Sequence, residues 1–186
     1  ISINLKNFVK NAFTKKAHFD YEQFADTVVM AMRLSDDLVE LEAEQLSKII
    51  DIADTEDEKA LWSKLKKACL DGRRTGLGTH GLADAIARLN VAYDSDKGVK
   101  IIDKIYNTLR VNAYEESARL AQERGAFPVF DWEKEKNNSF IKRLPENIQK
   151  MLAEFGRRNI SILTNAPTGS VSIMSQTSSG LEPVFR

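Results

Sequence analysis

Apolar and polar positions alternate at the start of the chain, Ile1-Ser2-Ile3-Asn4-Leu5, which is the period of a strand with one buried face. The period then lengthens. Asp20 stands where a helix N-cap would, and Phe24, Val28, Ala31 and Leu38 form one stripe of a helix predicted to reach about Leu46. A second helix is predicted from Thr55 or Asp57 to Leu70, closed by Gly72. Arg73–Gly81 is rich in glycine and leads straight into an apolar helix over Leu82–Leu89. Tyr93-Asp94-Ser95 reads as a turn capping the longest helix, about Asp96–Arg124, with the stripe Ile102, Tyr106, Leu109, Ala113, Leu120. Gly125 and Pro128 supply its stop.

The charged stretch Asp131–Asn138 reads as a solvated loop or short helical turn. Pro145 suits the first turn of a helix that ends at Gly156. Ile160–Leu163 reads as a buried strand, and Asn165–Gly180 is crowded with Gly, Ser, Thr and Pro. Long helical connections between short apolar strands predict an α/β architecture with parallel neighbours. The strands are few, so sheet edges would stay uncovered, and the fold is expected to be incomplete by itself. Ile1 is not an initiator methionine and Leu181–Arg186 has no polar tail, so both ends read as cuts within a longer fold.

Charge narrows the classes. With 27 basic and 27 acidic side chains among 186 residues, the net charge is zero. That excludes a whole-protein basic field that would collect nucleic acid or anionic membrane, and neither is expected as a partner. No apolar run approaches the roughly 20 residues of a membrane span. One cysteine, Cys69, excludes an internal disulfide framework and fits a reducing compartment, so a cytoplasmic location is expected. With only His18, His80 and that thiol, no metal site is expected.

The strongest local chemistry lies in Leu163-Thr164-Asn165-Ala166-Pro167-Thr168-Gly169-Ser170-Val171-Ser172. A strand enters a turn of small residues, and a short helix can follow. Backbone amides at such a turn, with the positive end of a helix behind them, favour a phosphate. Thr168 and Ser170 add hydroxyls, and Gly169 lets an oxyanion approach the main chain; a capped turn without ligand would read the same way. Gly76-Leu77-Gly78-Thr79-His80-Gly81 contains G-x-G-x-x-G but lacks the preceding hydrophobic strand and the acidic ribose ligand of a dinucleotide site. Tight packing of strand on helix is the expected use of those glycines. His80 is expected to be a structural hydrogen-bonder and Cys69 an inert thiol. Asp36-Asp37 is expected on a solvated helix face, and the acidic run Asp54–Glu58 on such a face or at a cap.

Ala166-Pro167-Thr168-Gly169-Ser170-Val171-Ser172, followed by Thr177-Ser178-Ser179-Gly180-Leu181-Glu182-Pro183-Val184-Phe185, resembles a signature of the ribonucleotide reductase large chain, closest to its adenosylcobalamin-dependent class. Arg73-Arg74-Thr75-Gly76-Leu77-Gly78 with Gly81-Leu82-Ala83-Asp84, then Tyr93-Asp94-Ser95, looks like a second block of that family, and Ile1–Leu5 like a third. The three blocks stand in the family's order and span the chain. The resemblance implies part of a ten-stranded α/β barrel, namely its second half-barrel, so that residues 1–186 would be one fragment of the catalytic barrel domain. It also implies thiyl-radical reduction of ribonucleoside diphosphates, adenosylcobalamin as radical source, a thioredoxin-type reductant, the N-terminal half of the barrel as partner and a homodimer.

The family's Asn-x-Cys-x-Glu motif and its redox cysteine lie upstream of the Ile-Asn-Leu strand and are absent from this sequence, so no catalytic residue is assigned. Carried over by position is the diphosphate cradle: Ala166, Pro167, Thr168, Gly169, Ser170 and Val171. Two alternatives remain, a class I large chain that takes its radical from a separate subunit, and a phosphate-binding module without catalysis.

Overall fold

The structure is a computed structural model and describes residues 1–183. Val184 and Phe185, the end of the C-terminal family block, lie outside the described residues. The chain divides into two compact units. The first comprises 1–29, 77–112 and 163–186, the second 30–76 and 113–162.

In the first unit, β1 (Ser2–Asn4) pairs in parallel with a strand at Gly78–His80, with Ser2 opposite Gly78 and Asn4 opposite His80. Leu77 forms an isolated parallel bridge with Leu163. The Leu77 carbonyl accepts from the Thr164 amide at 3.0 Å, while the Gly78 amide donates to the Ile1 carbonyl at 2.9 Å. Carbonyl 77 and amide 78 belong to one peptide and point to opposite edges, so Gly78–His80 is the central segment. Parallel neighbours need long crossovers, which is why so much helix separates so little strand.

Asn4 ends β1 because its side chain accepts from the Lys6 amide at 3.1 Å and caps a 3₁₀ turn at Leu5–Phe8. A short antiparallel pair follows, β2 (Val9–Lys10) with β3 (His18–Phe19). No alternation long enough to announce it exists in the sequence. It is held by Phe8, Phe19 and Phe24, whose ring centroids lie 5.1–5.9 Å apart. Val28, Leu77, Leu82, Ile86, Ile105 and Leu109 are among the other buried apolar residues of this unit.

α1 (Tyr21–Ile52) begins as expected, the Asp20 carboxylate accepting from the Gln23 amide at 3.0 Å. It runs six residues past the expected end at Leu46 because 47–52 contain no glycine, proline or cap. α2 (Glu56–Gly72) is capped by Thr55, whose hydroxyl accepts from the Glu58 amide. The parallel strand Gly78–His80 is β4, followed by α3 (Leu82–Arg88) and α4 (Asp96–Arg124). Ser95 accepts from the Gly98 amide at 3.1 Å, and Gly125 stops α4 at φ +87°. Asp131 caps α5 (Trp132–Glu135), and Asn138 caps α6 (Ser139–Lys142). Pro145 is the N-cap of α7 (Glu146–Phe155) rather than a first-turn residue. α8 spans Gly169–Ser175.

Three expectations change. Ile160–Leu163 is not a regular strand: only Leu163 is bridged, while the Ile160 amide is taken by the Gly72 carbonyl and the Ser161 carbonyl by Thr75. Gly72 does not supply the left-handed residue that closes α2; Arg73 does, at φ 44°. Its side chain is buried against Asp36, which holds an otherwise unfavourable backbone in place. Asp36 itself is 0% exposed, not solvated. In the second unit it meets Arg73, Arg124, Arg158 and Asn159, beside an apolar core of Met32, Val39, Ala113, Leu120, Ile148 and Leu152.

The fold is thus helix-rich α/β, with no closed barrel among the described residues. No described helix is long and apolar enough to cross a membrane.

Candidate functional site

Parts of all three sequence blocks fall in the first unit, while Arg73–Gly76 of the second block falls in the second unit. β1 and β4 run in parallel and end at Asn4 and His80, and the segment after Leu163 runs beside them. In parallel α/β folds, ligands collect beyond the carboxyl ends of the strands. Asn165–Gly180 leaves from one of those ends.

Thr168 adopts the left-handed conformation, φ 53° and ψ 32°, at the N-terminal boundary of α8. Its hydroxyl accepts from the Gly180 amide at 2.8 Å, which ties the two ends of the segment together and offsets the backbone strain. Its carbonyl accepts from the Ser172 amide at 2.8 Å and starts the helix. The first amides of a helix, here those of Gly169, Ser170 and Val171, have no acceptor within it. Ala166, Pro167, Gly169, Ser170 and Val171 are exposed, and Thr168 is partly so. A Cβ on Gly169 would meet nothing within 4 Å, so the main chain there is open to an approaching group. The structure therefore brings the six expected cradle residues into one accessible turn.

Of the residues that hold the turn, Asp84, Tyr93, Ser172, Ser178 and Ser179 stand in the sequence blocks without a role, and Lys6 lies outside them. The Asp84 carboxylate accepts from the Ser178 amide at 2.6 Å, and the Gly81 amide donates to the Ser178 carbonyl at 3.0 Å. Lys6 Nζ donates to the carbonyls of Ser175 and Gln176, both at 3.1 Å, placing a cation at the C-terminal end of α8. The Tyr93 hydroxyl donates to the Leu181 carbonyl. Ser172 Oγ donates to the Gly169 carbonyl and pairs with Ser179 Oγ at 2.8 Å. Their spacing in the sequence, up to 169 residues between Lys6 and Ser175, carries no local signal.

The glycine-rich loop is a packing device, and strand against loop is its main contact rather than strand on helix. A Cβ on Gly78 would lie 2.4 Å from the Thr164 carbonyl oxygen. Gly81, at φ +72°, abuts the Asn4 side-chain oxygen and Thr177. His80 is buried, its Nδ1 is 2.8 Å from Ser2 Oγ, and its Nε2 has no partner. Burial, helped by Lys6, pushes its pKa down, so the ring is held neutral. Thr79, on the other face of β4, bonds the Tyr106 hydroxyl at 2.8 Å, and burial pushes that phenol up to about 12.

In the second unit, Cys69 sits half-buried on α2 with its thiol against the Val39 carbonyl, and burial, with Glu42 nearby, pushes its pKa up. A thiol so placed is a poor nucleophile, as expected. Among the described residues no three His, Cys, Asp or Glu side chains are grouped to hold a metal ion.

The architecture is a short parallel α/β unit with an exposed turn beyond its strand ends. The family model described as "Ribonucleotide reductase, barrel domain" matches residues 1–186, and the chain belongs to that family. The vitamin B12-dependent ribonucleoside-diphosphate reductase of Mycobacterium tuberculosis is 28% identical over 184 residues, covering 99% of this chain and 21% of that protein. The protein of the same name from Thermoplasma acidophilum is 30% identical over 187 residues, 99% of this chain and 19% of that protein. The ribonucleoside-diphosphate reductase subunit alpha of Treponema pallidum is 29% identical over 120 residues, 61% of this chain and 14% of that subunit. The chain spans about a fifth of the length of the first two relatives.

Proposed function

We propose that the turn Ala166–Val171 holds the diphosphate of a ribonucleoside diphosphate, and that residues 1–186 form one piece of the catalytic barrel of a ribonucleotide reductase. The observation that carries this is the accessible run of helix-start amides at Gly169–Val171, fixed by the Thr168–Gly180 tie. Donors that are already oriented lose little freedom when an anion arrives. Fixing the diphosphate fixes the sugar with respect to the radical-bearing cysteine, which belongs to sequence outside this chain. The piece would form the second half of a ten-stranded α/β barrel, closed by an N-terminal half that this chain lacks.

Adenosylcobalamin is proposed as the radical source of the whole enzyme, because the two relatives named vitamin B12-dependent are 28% and 30% identical over 99% of the chain, whereas a subunit-alpha relative that covers all of it is 23% identical. The residues of this chain do not fit as its ligands. His80 is sealed with Nδ1 on Ser2, and His18 Nδ1 is bonded within its own turn to the Lys16 carbonyl. No step through the cofactor is therefore placed on this chain. A thioredoxin-type reductant, a homodimer and a cytoplasmic location complete the proposal for the whole enzyme.

The test is Gly169→Val with Ser170→Ala in the complete enzyme. A branched side chain over the exposed backbone should raise KM for the nucleoside diphosphate about tenfold or more, the scale of losing one or two charge-assisted hydrogen bonds, with thermal stability nearly unchanged. An unaltered KM removes the cradle assignment.

A further inference from the structure

In the second unit α2 lies against α1, yet Gly72 is the only one of its residues that is buried. Helices packed to the density of a protein interior interdigitate and leave no room between them. Here a cavity of about 350 Å³ opens between Glu42 and Leu46 of α1, Trp62, Leu65 and Cys69 of α2, and Arg74 just beyond it. Leu65 is 44% exposed and Trp62 is half-buried, so apolar surface faces the gap. A ligand that covered this surface would gain the ordinary hydrophobic stabilisation.

Two opposite charges stand over this apolar floor, and the fold uses neither as an ion pair. Arg73 is taken by Asp36 and Glu40, but Arg74 is exposed and makes no hydrogen bond or ion pair among the described residues. Its guanidinium is nonetheless placed, since a Cβ on Gly72 would lie 2.5 Å from Arg74 Nη1. The backbone at Gly72 is not left-handed, so the glycine serves there as room for that side chain. Glu42 is likewise outside any ion pair among the described residues, and its carboxylate stands beside the Cys69 thiol, where it adds to the burial that pushes the thiol's pKa up.

Arg74 and Glu42 do not pair with each other, which leaves one site for an anion and one for a cation on the same cavity. A phosphate would meet the Glu42 charge as well as Arg74, and a polyamine the Arg74 charge as well as Glu42. A zwitterion is matched by both. The volume is at the small end of ligand pockets, which run from roughly 300 to 1,000 Å³. We propose that this cavity binds a free α-amino acid with a large apolar side chain, its carboxylate on Arg74, its ammonium on Glu42 and its side chain against Trp62 and Leu65. The site lies wholly in the second unit and does not depend on the role given to the turn Ala166–Val171.

The experiment titrates the complete enzyme with L-phenylalanine, L-phenylalaninamide and 3-phenylpropionate, by ligand-observed NMR, for the wild type, Arg74→Gln and Glu42→Gln. The amide lacks the carboxylate and phenylpropionate lacks the ammonium, so each should bind the wild type more weakly than phenylalanine. Arg74→Gln should weaken phenylalanine and phenylpropionate about three- to tenfold and leave the amide unchanged; the effect is below that of a fully desolvated charge-assisted hydrogen bond because the site is partly exposed. Glu42→Gln should weaken phenylalanine and the amide by a similar factor and leave phenylpropionate unchanged. Neither charge is in an ion pair, so the thermal midpoint of both variants should stay level.

No phenylalanine binding to the wild type, phenylalanine binding that neither variant alters, or losses that fall equally on all three ligands would overturn the proposal.

Discussion

Removing the charge of Asp36 is the sharpest perturbation available in the second unit. The carboxylate is fully buried, with Arg73 Nη2 at 2.9 Å and Nε at 3.1 Å, Arg124 at 3.1 Å, Arg158 at 3.3 Å and Asn159 Nδ2 at 3.0 Å. Burial alone would push its pKa up, but the Arg73 hydrogen bonds and charge, with Arg158 and Asn159, hold it below the usual carboxylate range. Arg73 is 3% exposed and occupies a left-handed backbone position, and its other carboxylate partner is the more exposed Glu40, at 2.7 Å from Nη1.

Breaking a buried pair from one side typically costs about 3–5 kcal/mol, because the opposite charge stays buried and unpaired. Arg124 and Arg158 reach solvent or other carboxylates and can relax, which places Asp36→Asn at the lower end, about 3 kcal/mol. For a chain of this size that corresponds to a fall in Tm of roughly 6–12 °C. Thermal and urea unfolding followed by circular dichroism measure it. A change of less than 0.5 kcal/mol would refute the network as a structural keystone, as would a double-mutant cycle with Arg73→Met showing no coupling.

Two further outcomes are expected. Gly78→Ala places a methyl 2.4 Å from the Thr164 carbonyl, and neither backbone can yield without breaking the Leu77–Leu163 bridge; a loss of about 1–3 kcal/mol should appear in urea melts. His80 is held neutral in the fold, its pKa below that of the unfolded chain, so its contribution to stability is full above about pH 6.5 and falls as acid protonates the unfolded state first. Stability should therefore drop as the pH falls below about 6.5, and His80→Asn should flatten that slope; an unchanged slope would contradict the assignment.

How much of this was legible in the sequence follows from the range of the interactions involved. Helices with their own caps and stripes were legible, as Asp20, Thr55 and Ser95 show. Those caps act within three residues, and sequence reveals what is local. The β2–β3 pair was not legible, because two-residue strands hold no period and are made by aromatic packing. The supposed strand at Ile160–Leu163 has the right apolar residues, yet its ladder is diverted by Gly72 and Thr75 from far away in sequence.

Asp36 illustrates the opposite failure. Its neighbour Asp37 and the charged residues around it suggested a solvated face, and only the tertiary arrangement brings three arginines onto it. In the candidate site the turn itself was readable from its small residues and glycine. Its supports, Lys6, Asp84 and Tyr93, were not, since each reaches the turn from a distant part of the chain.

The most direct test of the central claim is a crystal structure of the complete enzyme with a bound ribonucleoside diphosphate. Phosphate oxygens within hydrogen-bond distance of the Gly169, Ser170 and Val171 amides are predicted. A diphosphate bound elsewhere, with that turn facing only solvent, would contradict the account.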